Sequence, residues 1–481
     1  MDLWLIPLQT YVPLVLATIA AIAAVVHILL HKSDPRGAFG WIAVCLLFPL
    51  IGPVFYYVFG INRVQVRARR LDKRADHALM GRAIGVHSQA LDAQEGVPAT
   101  LRGLAHAVDA LAGAPLVAGN RVTVLENGDQ AYPAMLAAIE RARRFVYLAT
   151  YIFETDGLGR QFMEALERAA ARGVDVRVLL DGVGEYYAWP RRRPARRLRR
   201  NGVRVGRFLA PRLLPPSLRI NLRNHRKVLV ADGELAFTGG MNIAGRNMSR
   251  KGRPPKVADL HFSFCGPVVE QIARVFLDYW AFVTGQRGEL PEAEIRGGGA
   301  SLCRAIDGGP TDETERLDLI LSAAVGSAQR RVLLMTPYFL PSPALASALQ
   351  AAALRGLEVA VVLPARNNLA FVGWATRHGL RELLRRRVQV YYQPAPFAHT
   401  KLFVIDDAYA VVGSANIDPR SLRLNFELVV EIYDRSVVAQ LTRHIGERID
   451  RSRRCTVAEM DARTLPARLR DALMWLFSPY L

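Results

Sequence analysis

The chain has 481 residues, 51% of them hydrophobic, which is too long for one ordinary domain and ample for two or three cores. Its net charge of +20 calls for an acidic partner, either nucleic acid or an anionic membrane surface. Cys45, Cys265, Cys303 and Cys455 stand far apart without CxxC or metal-ligand spacing, which excludes a cysteine-built zinc site and reads as thiols in a reducing compartment.

In chain order, "YVPLVLATIAAIAAVVHILL" (11–30) carries no formal charge and is long enough to cross ~30 Å of hydrocarbon at ~1.5 Å per residue. After "HKSDPRG" comes a second apolar run, "AFGWIAVCLLFPLIGPVFYYVFG" (38–60). With no basic stretch before the first run and no small-residue cleavage site, a cleaved signal peptide is disfavoured, and residues 1–62 are predicted to form a transmembrane hairpin. Pro49, Gly52 and Pro53 predict a kink or re-entry in the second run. The basic stretch "NRVQVRARRLDKR" (62–74) predicts that the remainder of the chain lies on the cytoplasmic side. Residues 63–118 read as a basic juxtamembrane segment and partly helical connector.

From residue 119 short β-rich runs alternate with amphipathic helices. "RFVYLATYIF" (144–153) predicts a strand, "GRQFMEALERAAARG" (159–173) a helix closed by glycine, and "VDVRVLLD" (174–181) a strand. "RVLLMTPYF" (331–339), "PALASALQAAALRG" (343–356) and "LEVAVVLP" (357–364) repeat that order. An α/β fold with largely parallel strands is expected, in two similar lobes packed face to face, 119–292 and 293–462. The arginine-rich "WPRRRPARRLRRNGVRV" (189–205) is read as resting on acidic headgroups, with no nucleic acid expected as partner. The closing amphipathic segment, 463–481, could dip into a bilayer or pack against a lobe.

The chemistry is concentrated in a duplicated signature. "NHRKVLVADGELAFTGGMN" (224–242) and "HTKLFVIDDAYAVVGSAN" (399–416) both fit H-x-K-x4-D-x6-G-[GS]-x-N, their histidines 174 residues apart. The candidate catalytic set is therefore His225, Lys227, Asp232, His399, Lys401 and Asp406. In an extended strand His225 and Lys227 share a face while Asp232 points to the other, so Asp232 and Asp406 are expected to form turns. Gly239-Gly240 and Gly413-Ser414 are expected to let a phosphate approach the backbone, with Asn242, Asn416 and Ser414 binding substrate. Phosphodiester exchange through a covalent intermediate needs a nucleophile on one side of phosphorus and an acid on the other, with ammonium groups neutralising the developing charge. One histidine cannot do both jobs in one displacement; two can. His261 is read as structural.

The paired motif resembles that of the phospholipase D superfamily over roughly 119–450. "NLRNHRKVLVADGELAFTGGMNIA", "TPYF", "GSANIDPRSLRLNFELVVEIYD", "LFSPYL" and the hairpin ending "LIGPVFYYVFG" resemble the bacterial cardiolipin synthases over nearly the whole chain. That resemblance implies a carboxylate farther along each half to orient its histidine: Glu427, in "NFE", and Asp259, in "ADLHFSF". Val257 stands near Asp259 where those synthases usually have tryptophan. By analogy His225 is the nucleophile and His399 the general acid and base. The implied reaction joins two phosphatidylglycerol molecules into cardiolipin and glycerol through a phosphatidyl-histidine, with no cofactor and no metal. The implied setting is the bacterial inner membrane, multi-pass, with anionic lipids as partners and the oligomeric state open. A phospholipase D or other headgroup exchanger, a superfamily nuclease and a non-catalytic lipid-binding relic are the rival readings.

Overall fold

A computed structural model describes residues 5–32, 35–60, 96–185, 194–209, 222–249, 252–291, 298–309 and 315–478. The basic stretch 62–74 and the first five residues, 189–193, of the arginine-rich segment 189–205 lie outside the described residues, while the rest of that segment forms the helix Pro194–Arg200 and enters the strand Arg204–Phe208. The chain divides into a small N-terminal unit, Met1–Arg70, and a body, Leu71–Leu481.

In the small unit the helix Leu5–His31 is long and apolar enough to span a bilayer. The second run does not form a matching span. Its helix stops at Leu47 after 13 residues, ~20 Å at 1.5 Å per residue, and resumes as Gly52–Phe55 after a turn. Pro49 and Pro53 lack the N–H that a continuous helix needs, and Gly52 lies so close to Val44 that a Cβ there would meet its carbonyl oxygen at 2.4 Å. The expected hairpin is thus one full span and an interrupted return.

The body is built on a 15-stranded sheet. First-lobe strands are β1 (Val117–Glu126), β2 (Phe145–Thr150), β3 (Asp175–Asp181), β4 (Arg204–Phe208), β5 (Val228–Ala231), β6 (Leu235–Gly239), β7 (Val257–Ala258) and β8 (Leu260–Cys265). Second-lobe strands are β9 (Ser301–Gly308), β10 (Arg331–Met335), β11 (Glu358–Pro364), β12 (Gln389–Gln393), β13 (Phe397–Ala398), β14 (Leu402–Ile405), β15 (Tyr409–Gly413), β16 (Glu427–Tyr433) and β17 (Arg453–Arg454). Read inward from the first lobe the order is β4-β3-β2-β5-β6-β8-β1; read inward from the second it is β12-β11-β10-β14-β15-β16-β9. The duplication in sequence is a duplication in topology.

Two expectations are corrected. Within this sheet only β2-β3-β4 and β10-β11-β12 are parallel, while every pairing between β2 and β10 across the centre is antiparallel. Helical crossovers occur only on the outer strands, and the signature itself is a hairpin, β5-β6 or β14-β15, which antiparallel pairing requires. The lobes also join edge to edge rather than face to face, because β1 pairs with both β8 and β9. A continuous sheet leaves no free edge at the junction.

Helices cover the sheet for the reasons the sequence supplies. Asp156 caps the helix Gly157–Ala171 by accepting from Gly159 N, and Leu158, Phe162, Leu166 and Ala169 turn one stripe into the first core. Ser342 caps Pro343–Leu354 in the same way. The segment read as a connector is partly structural: Leu101, Leu104, Ala105 and Val108 of the helix Arg102–Ala112 and its approach are buried in the second core, although they precede the first lobe in sequence. Arg304 and Asp109 pair across that contact at 3.3 Å.

Candidate active site

Each histidine enters on an extended segment that crosses to the other lobe. His225 N donates to Phe426 O at 2.9 Å, and Phe426 N donates back to Arg223 O at 2.9 Å. In the second copy β13 pairs in parallel with β7, and His399 N donates to Ala258 O at 2.8 Å. These backbone exchanges put each imidazole beside the carboxylate of the opposite lobe. His225 Nδ1 lies 3.0 Å and 3.1 Å from the two oxygens of Glu427. His399 Nδ1 lies 2.9 Å from Asp259 Oδ2. The resemblance implied Glu427 for His399 and Asp259 for His225; the structure exchanges the partners. A neutral imidazole that donates from Nδ1 keeps its Nε2 lone pair for phosphorus or for a proton.

The carboxylates are held differently. Ser414 Oγ donates to Glu427 Oε2 at 2.6 Å and receives Leu428 N at 3.0 Å. The matching residue in the first lobe is Gly240, where a Cβ would fall 2.4 Å from Asp259 Oδ2. A longer carboxylate with a serine and a shorter one with a glycine are two solutions to one packing problem. Ser414 is fully buried in this bond, so it does not bind substrate as expected. The glycines serve neighbouring strands rather than a phosphate: a Cβ at Gly239, with φ near +151°, would meet His261 Nδ1 at 2.7 Å, and one at Gly413 would meet Leu428 O at 2.3 Å.

Asp232 and Asp406 stand apart from the imidazoles, at the turn beyond the far end of each signature strand. Asp232, with φ of 54°, accepts from the backbone N–H groups of Arg143, Arg144 and Phe145. Asp406, with φ of 51°, accepts from Gln329, Arg330 and Arg331. Their grouping with the catalytic set is corrected, and the turn-forming alternative describes them: each carboxylate pins the start of β2 or β10. Asn242 Oδ1 accepts from Ile152 N at 3.0 Å, and Asn416 Nδ2 donates to Ser421 Oγ at 3.1 Å, so each amide spends one end on the scaffold.

Burial governs the titrating groups. It draws the Lys227 ammonium down to about 7 and that of Lys401 to about 8. Burial and then the Lys401 charge bring His399 down to about 3, and burial also holds His225 below the usual imidazole range. Burial pushes Glu427 upward, but His225, Lys227 and Ser414 outweigh it and keep it ionised below the ordinary glutamate range. Lys401 acts on His225 and Lys227 acts on His399, so the two lobes share one electrostatic site. The cleft presents neutral imidazoles and desolvated ammonium groups, an arrangement that favours entry of an anion.

Residues 135–252 and 321–449 match the family described as "Cardiolipin synthase, PLD-like domain", and residues 19–60 match "Phospholipase_D-nuclease N-terminal". The chain is 33% identical over 466 residues to cardiolipin synthase A of Pseudomonas putida strain F1, covering 96% of each. The chain belongs to the bacterial cardiolipin synthase family of the phospholipase D superfamily. It is also 28% identical to cardiolipin synthase 1 of Bacillus cereus, covering 96% of this chain and 92% of that one. Among solved structures, the phosphatidylserine synthase of Haemophilus influenzae matches with a TM-score of 0.60 at 14% identity, over 79% of this chain and all of the other, a likeness of fold. Family membership makes the protein a membrane-associated enzyme of phospholipid chemistry.

Two contributors in this synthase-family site, Arg226 and Asp181, lie outside the predicted set. Arg226, between His225 and Lys227, turns the opposite way and crosses the lobe junction: its Nε donates to Glu427 O at 2.9 Å, its guanidinium pairs with Asp307, and it lies 3.4 Å from the Tyr279 ring centroid. Asp181, at the end of β3, accepts from Asn224 N at 3.0 Å and from Arg223 at 3.2 Å, fixing the approach to His225. Strand parity could have flagged Arg226; nothing in the sequence marks Asp181. His261 is buried with neither ring nitrogen hydrogen-bonded, and burial takes it down to about 4. Tyr151 and Tyr338 place rings 5.5 Å and 6.5 Å from His225 and His399 respectively, while Phe153 and Phe339 are core.

Proposed function

We propose that this chain forms cardiolipin and glycerol from two phosphatidylglycerol molecules through a phosphatidyl-histidine, as a protein anchored in the bacterial inner membrane with its lobes on the cytoplasmic side. The observation that carries the reading is the pair of imidazole–carboxylate contacts exchanged between lobes, which gives one phosphate two oriented histidines. His225 Nε2 attacks phosphorus, and the bond to the glycerol headgroup breaks as His399 delivers a proton to the departing oxygen. The primary hydroxyl of a second phosphatidylglycerol then gives its proton to His399 and attacks phosphorus, releasing His225. One phosphodiester replaces another, so bonds and protons balance without a nucleotide.

His225 suits the nucleophile because a neutral ring braced by an ionised, buried Glu427 tolerates the positive charge that grows on bonding to phosphorus. His399 is too weakly basic among its protein neighbours alone to carry a proton at neutral pH; the phosphodiester anion, by its charge, raises the proton affinity of everything around it. Lys227 and Lys401 hold the non-bridging oxygens. The names of the relatives at 28–33% identity support cardiolipin as product. The cytoplasmic setting is supported by the six basic residues of 62–74 directly after the apolar segments.

Wild-type, His225→Ala and His399→Ala proteins reconstituted in vesicles with headgroup- and acyl-labelled phosphatidylglycerol provide the test. The expected products are cardiolipin and free glycerol from wild type, with both formed at least ~10³-fold more slowly by the variants. Phosphatidic acid as the main product would replace the reading with a hydrolase, and wild-type turnover by either variant would remove that histidine from the mechanism.

A further inference from the structure

The last described helix, Leu465–Leu476, has two faces of opposite character. Its inner face packs on the helix Ala370–Arg385. There Asp471 is buried and accepts from Arg463 at 2.7 Å and Arg470 at 2.9 Å, and Met474 packs against the cluster of Leu340, Val372 and Ala375. His378 and Trp475 bring their rings to 4.8 Å across the same contact. The outer face carries Leu465, Leu469, Leu473 and Leu476, at 65%, 61%, 52% and 65% exposure, and continues into exposed Phe477. Their spacing of four, four and three makes one helical stripe. Leu369 and Phe371, where the neighbouring helix begins, are exposed as well.

Charge identifies what this stripe meets. The one acidic side chain on the helix, Asp471, is buried among arginines, so the helix presents leucine, phenylalanine and the exposed cation Arg468 to its surroundings. Arg470 lies over the Trp374 ring at 4.5 Å, and Arg366 stands exposed before Leu369. Nearby Asp461 is paired with Arg381. An apolar stripe with cationic flanks and no free carboxylate on its helix complements an anionic lipid surface, where leucine side chains enter the acyl boundary and arginines meet phosphate. Position supports the same occupant: Tyr338 and Met474 pack against one shared cluster of Leu340, Val372 and Ala375, and Tyr338 also meets the His399 ring edge-on at 6.5 Å, so the cluster under this helix is the one that borders the catalytic cleft.

We propose that the Leu465–Phe477 stripe is a bilayer-docking face that seats the second-lobe side of the cleft on anionic lipid, so that phospholipid headgroups reach His399 without leaving the membrane. This rests on phospholipid being the substrate. The N-terminal helix already tethers the chain, so vesicle binding does not report on the stripe; depth does.

Full-length protein carrying Cys265→Ser and Leu473→Cys, labelled with an environment-sensitive fluorophore, is reconstituted into phosphatidylglycerol vesicles with brominated acyl chains. Glu358→Cys, at the exposed start of β11, is the control. The expected result is quenching of about half or more of the emission at position 473 and none at 358. In a second arm, Leu469→Glu with Leu473→Glu lowers turnover of vesicle phosphatidylglycerol at least tenfold while turnover of a short-chain phosphatidylglycerol dispersed as monomers is unchanged. An unquenched label, a label shielded from both water and lipid by another segment of this chain, disulfide coupling of two copies through position 473, or equal loss on both substrates would each overturn the docking face. Wild-type protein inactive on both substrates would instead sink the proposed reaction, while the depth measurement still reads the surface.

Discussion

His225 and Glu427 are 202 residues apart and belong to different lobes, yet Nδ1 of one lies within 3.1 Å of both carboxylate oxygens of the other. With His399 and Asp259 arranged reciprocally, neither lobe contains a complete imidazole–carboxylate unit. A lobe separated from its partner retains a histidine without its orienting acceptor. The duplication is therefore obligatory for each half-site as well as for the pair.

The exchange predicts which double mutants couple. Glu427→Gln should lower turnover ~10²–10⁴-fold, the scale for removing the carboxylate that sets a catalytic histidine's tautomer. Adding Glu427→Gln to His225→Ala should cost almost nothing more, whereas adding it to His399→Ala should cost nearly its full amount. Single-turnover rates of the four combinations decide the matter; coupling of Glu427 to His399 alone would restore the within-lobe pairing.

Gly240 and Ser414 should not be interchangeable. Gly240→Ser places a Cβ against Asp259 at 2.4 Å and should displace that carboxylate from His399, with a loss of about 10²-fold or more. Ser414→Ala removes one donor to Glu427, which fixes the sign of the pH effect. Glu427 is held below the ordinary glutamate range, so activity that depends on its charge is present above that pKa and lost as pH falls through it. Removing the Ser414 bond raises the pKa, and the acid limb of kcat against pH should move upward. An unmoved limb would exclude Glu427 as its source.

The lysines predict a limb at the other end. With Lys227 at about 7 and Lys401 at about 8, the cleft loses positive charge as pH rises through that range, as a coupled pair. Glycerophosphoglycerol, a soluble phosphodiester that stays monoanionic from pH 6 to 9, should inhibit several-fold more weakly at pH 9 than at pH 6. Flat inhibition across the range would show that both ammonium groups keep ordinary affinities.

Asp232 should behave as a folding residue. Asp232→Ala leaves three backbone N–H groups of the β2 approach without their acceptor and a non-glycine residue at positive φ, a cost of about 1–3 kcal/mol for this partly solvated turn. Asp232→Asn, which tolerates that backbone and keeps one acceptor oxygen, should cost less. Thermal denaturation should register both, and kcat of the folded protein should stay within about threefold of wild type. A large kcat loss at unchanged Tm would return Asp232 to the catalytic set.

Much of this enzyme was legible in its sequence because the relevant signals are local. Period and apolar length gave the first span and the strand–helix–strand units, the repeated spacing gave both histidines and both lysines, and strand parity separated Asp232 from His225. Identity of side chain and spacing along a few residues suffice for those inferences. What the tertiary structure decided is everything that depends on which segments meet. That β1 and β9 fuse two sheets into one, that Glu427 serves His225 and Asp259 serves His399, that Ser414 and Arg226 brace Glu427, and that a helix ahead of the first lobe fills the second core are facts of long-range pairing. Hydrogen bonding and burial act between neighbours in space, and in a duplicated chain either half offers chemically equivalent partners. Only the path of the backbone across the junction chooses between them.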